Sequence, residues 1–187
     1  MKKLYVLLLC LFATSSLMGE LGIDAEFRTA AFFPSSHLFR EIYGKTGVDY
    51  QLEASTKFQD CIDLWTNFSW YTKKGGSVPL HDPTRISIAN VSIGLSYIYD
   101  FCNGFSIYGG VGPTFANIRI KNHIPDVWHE KVVKCSVGVL VKSGIRYNLS
   151  ECYYLDAFAD YLYQPKKFHI FANVGGFKPG LGIGMHF

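Results

Sequence analysis

Five of the six histidines lie in polar stretches between apolar runs: His37, His81, His123, His129 and His169. If those stretches meet in space, two or three imidazoles could bind a metal or change charge near pH ~6–7. Their spacing is scattered and contains no H-x-x-x-H pair, so no metal role is assigned. Asp156 and Asp160 share one face of a period-two run. Four residues of extended chain separate them by about 13 Å, too far to share a proton, and they are expected to pair with Lys or Arg. Gly109-Gly110-Val111-Gly112 is followed by no phosphate-loop Lys and opens no helix, so close packing is its expected role. Cys61, Cys102 and Cys152 fall in short turns and Cys135 on a strand face. A Cys61–Cys102, a Cys102–Cys152 or an intermolecular disulfide is conceivable in an exported chain, with one turn thiol left over. No C-x-x-C pair favours zinc. No residue is given a catalytic, cofactor-binding or metal role.

The elements that would hold these residues are strands. Leu21, Ile23, Ala25, Phe27, Thr29 and Ala31 alternate with Gly22, Asp24, Glu26 and Arg28. Val48, Tyr50, Leu52, Ala54, Thr56 and Phe58 alternate with Asp49, Gln51, Glu53, Ser55, Lys57 and Gln59 over twelve residues. Val133 to Tyr147 and Phe177 to Phe187 repeat the scheme. Cys61 to Thr72, Thr84 to Tyr99, Phe105 to Ile118 and Tyr153 to Gln164 are less regular, and the apolar phase of the second slips near Ala89 and Asn90 as at a bulge. The total is eight strands. Short connections (Gln59 to Cys61, Asp100 to Gly104, Asn148 to Cys152) alternate with long ones (Pro34 to Gly47, Lys73 to Pro83, Arg119 to Lys131, Pro165 to Gly176). Strict alternation of this kind predicts an all-β, antiparallel up-and-down barrel with the long loops at one rim. In the first long loop, Pro34-Ser35-Ser36 precedes Leu38, Phe39, Ile42 and Tyr43 at helical spacing, which predicts a short helix over the barrel mouth.

Lys2 and Lys3, the apolar run Leu4 to Phe12 and the small residues that follow have the order of an export signal, so residues 1–19 are expected to be a signal peptide and 20–187 the barrel domain. Of 187 residues, 49% are hydrophobic and 18% charged, and the 18 Gly and 30 aromatics suit strands and tight turns. Without Lys2 and Lys3 the bases and acids nearly balance, which gives nucleic-acid binding no support.

An eight-stranded barrel has room inside only for side chains. If the apolar face meets lipid, the lumen must hold Asp24, Glu26, Arg28, Asp49, Glu53, Lys57, Lys134, Lys142, Arg146, Asp156 and Asp160, which can pair. The opposite arrangement would be a soluble lipocalin-like carrier with an apolar cavity. Strands of about 10–12 residues suffice to cross an outer membrane when tilted. Aromatics collect at the two ends: Phe58, Tyr97, Tyr99, Phe105, Tyr147 and Tyr153 at the short-turn rim, and Trp70, Phe115, Tyr161, Tyr163 and Phe177 at the other. Paired interfacial girdles favour the transmembrane reading.

The eight alternating strands, the leader and the ending Pro179-Gly-Leu-Gly-Ile-Gly-Met-His-Phe187 resemble the small bacterial outer-membrane β-barrel proteins of the OmpA/OmpX type. That resemblance implies an outer-membrane location, a lipid surround, and a last strand ending in Phe187 that the barrel-assembly machinery reads. His169-Ile-Phe-Ala-Asn173 is also similar to the H-x-S-N stretch of eight-stranded lipid A deacylases, but the nucleophile is missing. The expected function is therefore non-enzymatic, structural or in surface interaction through four external loops, with a surface ligand or envelope protein as partner. A lipid-modifying enzyme and a soluble carrier are the alternatives.

Overall fold

The computed structural model describes residues 22–76, 83–101, 103–122, 131–167 and 171–187. The proposed signal segment lies outside them. The barrel strands are β1 (Ile23–Pro34), β2 (Gly47–Gln59), β3 (Ile62–Gly76), β4 (Pro83–Asp100), β5 (Phe105–Asn122), β6 (Lys131–Asn148), β7 (Tyr153–Tyr163) and β10 (Gly176–His186). A helix α1 (His37–Tyr43) follows β1, and a two-stranded sheet of β8 (Pro165–Lys167) and β9 (Phe171–Asn173) precedes β10. The barrel closes in the order β1-β10-β7-β6-β5-β4-β3-β2, with every pair antiparallel. This is the expected up-and-down meander, sealed by β10 against β1, so the barrel sheet has no free edge.

Alternation decides which residues face inward. Along β2 the odd residues Asp49, Gln51, Glu53 and Ser55 are buried, while Val48, Tyr50 and Leu52 are exposed. Along β6 Val133, Val137, Val139, Val141 and Ile145 are exposed, while Ser136, Leu140, Lys142 and Arg146 are buried. The large apolar side chains therefore form the outer wall and the ionised ones line the lumen, which overturns the soluble-carrier alternative. Both aromatic girdles are on the wall: Phe58, Tyr97, Tyr99, Phe105, Tyr147 and Tyr153 are exposed at one end, and Trp70, Phe115, Tyr161, Tyr163 and Phe177 at the other.

Two expectations about the strands are corrected. The apolar phase slip near Ala89 and Asn90 is no bulge, for the β4 register with β3 and β5 runs through it unbroken. What changes there is polarity. Below Ala89 the wall residues are Val91, Ile93, Leu95 and Tyr97, and the lumen residues are Asn90, Ser92 and Ser96; above it Ile86 and Ile88 are buried while Arg85 is exposed. Strand β5 inverts at the same level, with Ile118 buried and Arg119 and Lys121 exposed. An apolar exterior suits hydrocarbon and an apolar interior suits water, so the inversion marks where the strands leave the membrane. The second correction is in β2, whose register shifts between Lys57 and Gln59. The shift falls beyond Lys57, which keeps the lumen phase opposite the buried Asp63 and lines the open short-turn end, so it is exposed where an enclosed side chain was expected.

The upper lumen is consequently apolar. Phe32, Tyr71, Ile86, Ile88, Ala116, Ile118 and Val174 form one buried cluster with Phe39 and Tyr43 of α1. The helix begins at Ser36, whose hydroxyl accepts a hydrogen bond from the Phe39 N–H at 3.4 Å, and ends at Gly44, whose φ of 89° is open to glycine. Phe39 lies edge-on to Phe32 with ring centroids 6.2 Å apart, and Phe32 lies edge-on to Tyr71 at 4.9 Å. The helix thus caps the mouth as expected, through Phe39, Tyr43 and the half-buried Ile42, whereas Leu38 faces solvent.

Candidate functional site

Below the apolar cap, the lumen is filled by an ionic network whose charged groups come from β1, β2, β6, β7 and β10. Arg28 of β1 is fully buried at its centre. Its Nη1 lies 3.0 Å from Glu53 Oε2 and 3.1 Å from Asp160 Oδ2, its Nη2 3.4 Å from Asp156 Oδ2, and its Nε 3.3 Å from Glu26 Oε1. Nη2 also donates to the Tyr108 hydroxyl at 3.1 Å, and that hydroxyl donates to Asp156 Oδ2 at 2.7 Å. The guanidinium stacks on Phe158, 3.5 Å from the ring centroid. Asp156 and Asp160 pair with an Arg as expected, but both reach the same guanidinium, which their spacing along the strand did not suggest. Lys142 of β6 pairs with Glu53 and lies 4.6 Å above the Trp65 ring centroid. Higher up, Lys178 of β10 pairs with Asp49 at 3.1 Å and donates to Ser69. Lower down, Arg146 pairs with Asp24 at 3.3 Å and lies over Tyr154.

The alternation makes this possible, and glycines make the room. At Gly182 a Cβ would sit 2.1 Å from Glu26 Oε1, so this position of β10 must be bare for Glu26 to reach Arg28. Of the Gly109-Gly110-Val111-Gly112 run, Gly110 and Gly112 face inward against neighbouring backbone, as close packing requires. Gly109 is instead on the outer wall.

Of the expected lumen residues, Glu26, Arg28, Asp49, Glu53, Lys142, Arg146, Asp156 and Asp160 are buried, and Asp24 and Lys134 are half-buried. Lys178, Asp63, Tyr108 and Tyr154 are buried there too and were missed. Their even phase on β10, β5 and β7, and odd phase on β3, was the available signal. At the short-turn end a cavity of about 430 Å³ is lined by Asp24, Lys57, Asp63, Asp100, Arg146 and His186 among others. His186 Nδ1 lies 2.7 Å from Asp24 Oδ1.

The histidines do not meet in what the structure describes. His37 pairs with Glu41 along α1 at 3.4 Å with both side chains well exposed, and His81, His123, His129 and His169 lie outside the described residues. Among the described residues no group of three or more His, Cys, Asp or Glu is placed to hold a metal. Asn173, the last residue of the deacylase-like stretch, accepts backbone N–H bonds from Gln164 at 2.8 Å and Gly175 at 3.0 Å, so it braces the link from β7 to β10. Cys61 and Cys152 are exposed and form no disulfide among the described residues; Cys135 is exposed on the wall, and Cys102 lies outside the described residues.

No protein-family model matches the chain, and no curated protein matches it either. Solved structures do. Neisserial surface protein A (NspA) superposes with a TM-score of 0.65 at 18% identity, over 89% of this chain and 97% of that one. The outer membrane protein OprG of Pseudomonas aeruginosa gives 0.66 at 13% identity, over 89% and 96%. Ail of Yersinia pestis, the attachment invasion locus protein, in complex with the heparin analogue sucrose octasulfate, gives 0.57 at 13% identity, over 89% and 97%. Such identities speak for fold alone, and the fold is closed, all-antiparallel and apolar on its outer wall: the chain has the architecture of the small eight-stranded outer-membrane β-barrels.

Proposed function

We propose that the protein is a non-enzymatic integral outer-membrane barrel that serves a structural or surface-interaction role through four external loops at the α1 end. One observation carries the reading. The lumen is occupied from Arg146 to Lys178 by paired charges and then closed by Phe39 and Tyr43, so binding is left to the rim and its connections. Residues 1–19 act as the export signal in this reading and 20–187 as the barrel, with the last strand through Phe187 offered to the barrel-assembly machinery. Proteins of this architecture whose names speak of a surface or of attachment, such as NspA and Ail, are in keeping with a surface role. A surface ligand or envelope protein is the partner class.

The test is accessibility on intact cells. An epitope placed between Lys45 and Thr46 is expected to be detected without permeabilisation, and one in the Leu149–Cys152 turn only after it. The folded protein is expected to run faster in electrophoresis unheated than boiled, and to give no steady conductance in planar bilayers. The opposite epitope pattern, or release into the soluble fraction, would overturn the reading.

A further inference from the structure

Above the polarity inversion, one half of the barrel carries an outward row of cations. Lys74 of β3 stands opposite Arg85 of β4, Arg85 opposite Lys121 of β5, and Lys121 opposite the register position of Lys131 on β6. One step nearer the membrane Thr72, Ser87 and Arg119 form a second row, and one step further down are Trp70, Ala89 and Asn117. Lys74, Arg85, Arg119 and Lys121 are all exposed.

Neighbouring strands are about 4.8 Å apart, and like charges directly opposite one another repel. Among the described residues no carboxylate makes an ion pair with any of these four. The row is thus a patch that lacks described counter-charge, in contrast to the lumen, where every buried cation has a carboxylate partner.

Its position identifies what supplies the charge. The cations share the outward phase of Phe68, Trp70, Val91 and Phe115, so they point sideways into whatever surrounds the wall and not upward into the mouth. From Trp70 to Lys74 is about 13 Å of strand, which at the usual tilt raises the row by about 10 Å. The polar headgroup layer is about 5–7 Å deep on each side, so Arg119, one step lower, lies within it and the row above stands at its outer edge, where long side chains reach back to it. Between girdle and cations lies an interfacial hydroxyl cluster: Trp70 Nε1 donates to Thr72 Oγ1 at 3.1 Å, and Thr72 and Ser87 are hydrogen-bonded at 2.9 Å. Among the described residues the other end of the barrel has no such row. Exposed there are Asp60, Asp100 and Glu151 against Lys57.

We infer that the β3–β6 face is a docking surface for phosphorylated lipid headgroups of the surrounding leaflet, with Lys74, Arg85, Arg119 and Lys121 as the phosphate-binding cations. Arg85 and Arg119 offer planar forks that match phosphate oxygens, and the lysines act as point charges. The surface rests on the orientation proposed above and makes the barrel select its annular lipid on one side.

Lipid selectivity tests it. A Trp128→Phe variant is refolded into phosphatidylcholine vesicles containing either brominated phosphatidylglycerol or brominated phosphatidylcholine, and tryptophan quenching is compared. Trp65 is 1% exposed in the lumen, so the signal reports Trp70, beneath the cations. The expected result is a several-fold preference for the brominated anionic lipid that shrinks as salt is raised. It should fall to near equality when Lys74→Gln, Arg85→Gln, Arg119→Gln and Lys121→Gln are combined, and survive Arg40→Gln with Lys57→Gln. If the combined variant does not fold, the two pairs made separately should each remove part of the preference. Heat-dependent mobility reports barrel formation independently, so a folded barrel without lipid preference sinks this inference and spares the fold. Equal preference in wild type and combined variant would overturn it. So would binding of a soluble sulfated oligosaccharide that needs the four cations while lipid preference is absent.

Discussion

Replacing Arg28 with Met would leave Glu26, Glu53, Asp156 and Asp160 facing one another in a space closed to water. Removing one side of a buried ion pair costs about 3–5 kcal/mol, because the surviving charge is left unpaired. The urea midpoint of the Arg28→Met protein in lipid vesicles is expected to drop accordingly. Arg146→Gln should cost less, since the Arg146 and Asp24 side chains retain 10% and 19% exposure. Equal midpoints for wild type and Arg28→Met would show that the network carries no stability. Most of this site could be read from alternation, because a period of two puts Glu26 and Arg28 on the same side as surely as it puts Phe27 on the other. The pairings were not legible. Lys178 reaches Asp49 across 129 residues of chain, and only closure of β10 on β1 brings them together. Lys57 has the inward phase that alternation gives it, opposite Asp63, but alternation does not say how far the lumen opens at the strand end, and there Lys57 is exposed.

At the scale of elements, α1 was readable because its signals are local: a serine cap and apolar residues at i and i+4. The direction of its packing was not, since Leu38 and Phe39 are equally apolar and only the barrel's Phe32 and Tyr71 choose between them. Phe39→Ala should therefore detach the helix from the mouth, whereas Leu38→Ala should do little. Deleting a buried Phe costs about 3–5 kcal/mol, an upper figure for a helix that can undock alone. Hydrogen exchange is the measurement. Amides of Arg40 and Gly44, bonded within the helix to Ser36 and Arg40, should exchange faster in Phe39→Ala while those of β4 and β5 stay unchanged. Loss of protection throughout the barrel would mean that α1 is part of its cooperative core.

For the molecule as a whole, the decisive quantity is where water gives way to hydrocarbon. On β4 the apolar wall runs from Ala89 to Tyr99, about 33 Å of strand and about 25 Å of height at a tilt of roughly 40°, the height expected of an outer-membrane band. Strands β4, β5 and β6 each have 18 residues, so they continue well beyond it. The break in the β4 pattern near Ala89 was expected to be a bulge. The register is unbroken there, and the apolar face changes because one strand crosses two solvents and each demands the opposite face. Arginine substitutions along the wall test this directly. Ile93→Arg, near mid-band, should cost about 2–4 kcal/mol, whereas Ser87→Arg, above the inversion, should cost about 0–1 kcal/mol. Inside, the order reverses: a carboxylate introduced as Ile86→Asp meets the closed apolar cluster of Phe39, Tyr71 and Ile118, while Ser96→Asp faces the polar end of the lumen. Urea midpoints of the four variants in vesicles should therefore cross, the outer pair being most sensitive at the middle of the membrane and the inner pair above it. A uniform cost at Ile93 and Ser87 would place the boundary elsewhere and remove the reason for the inversion.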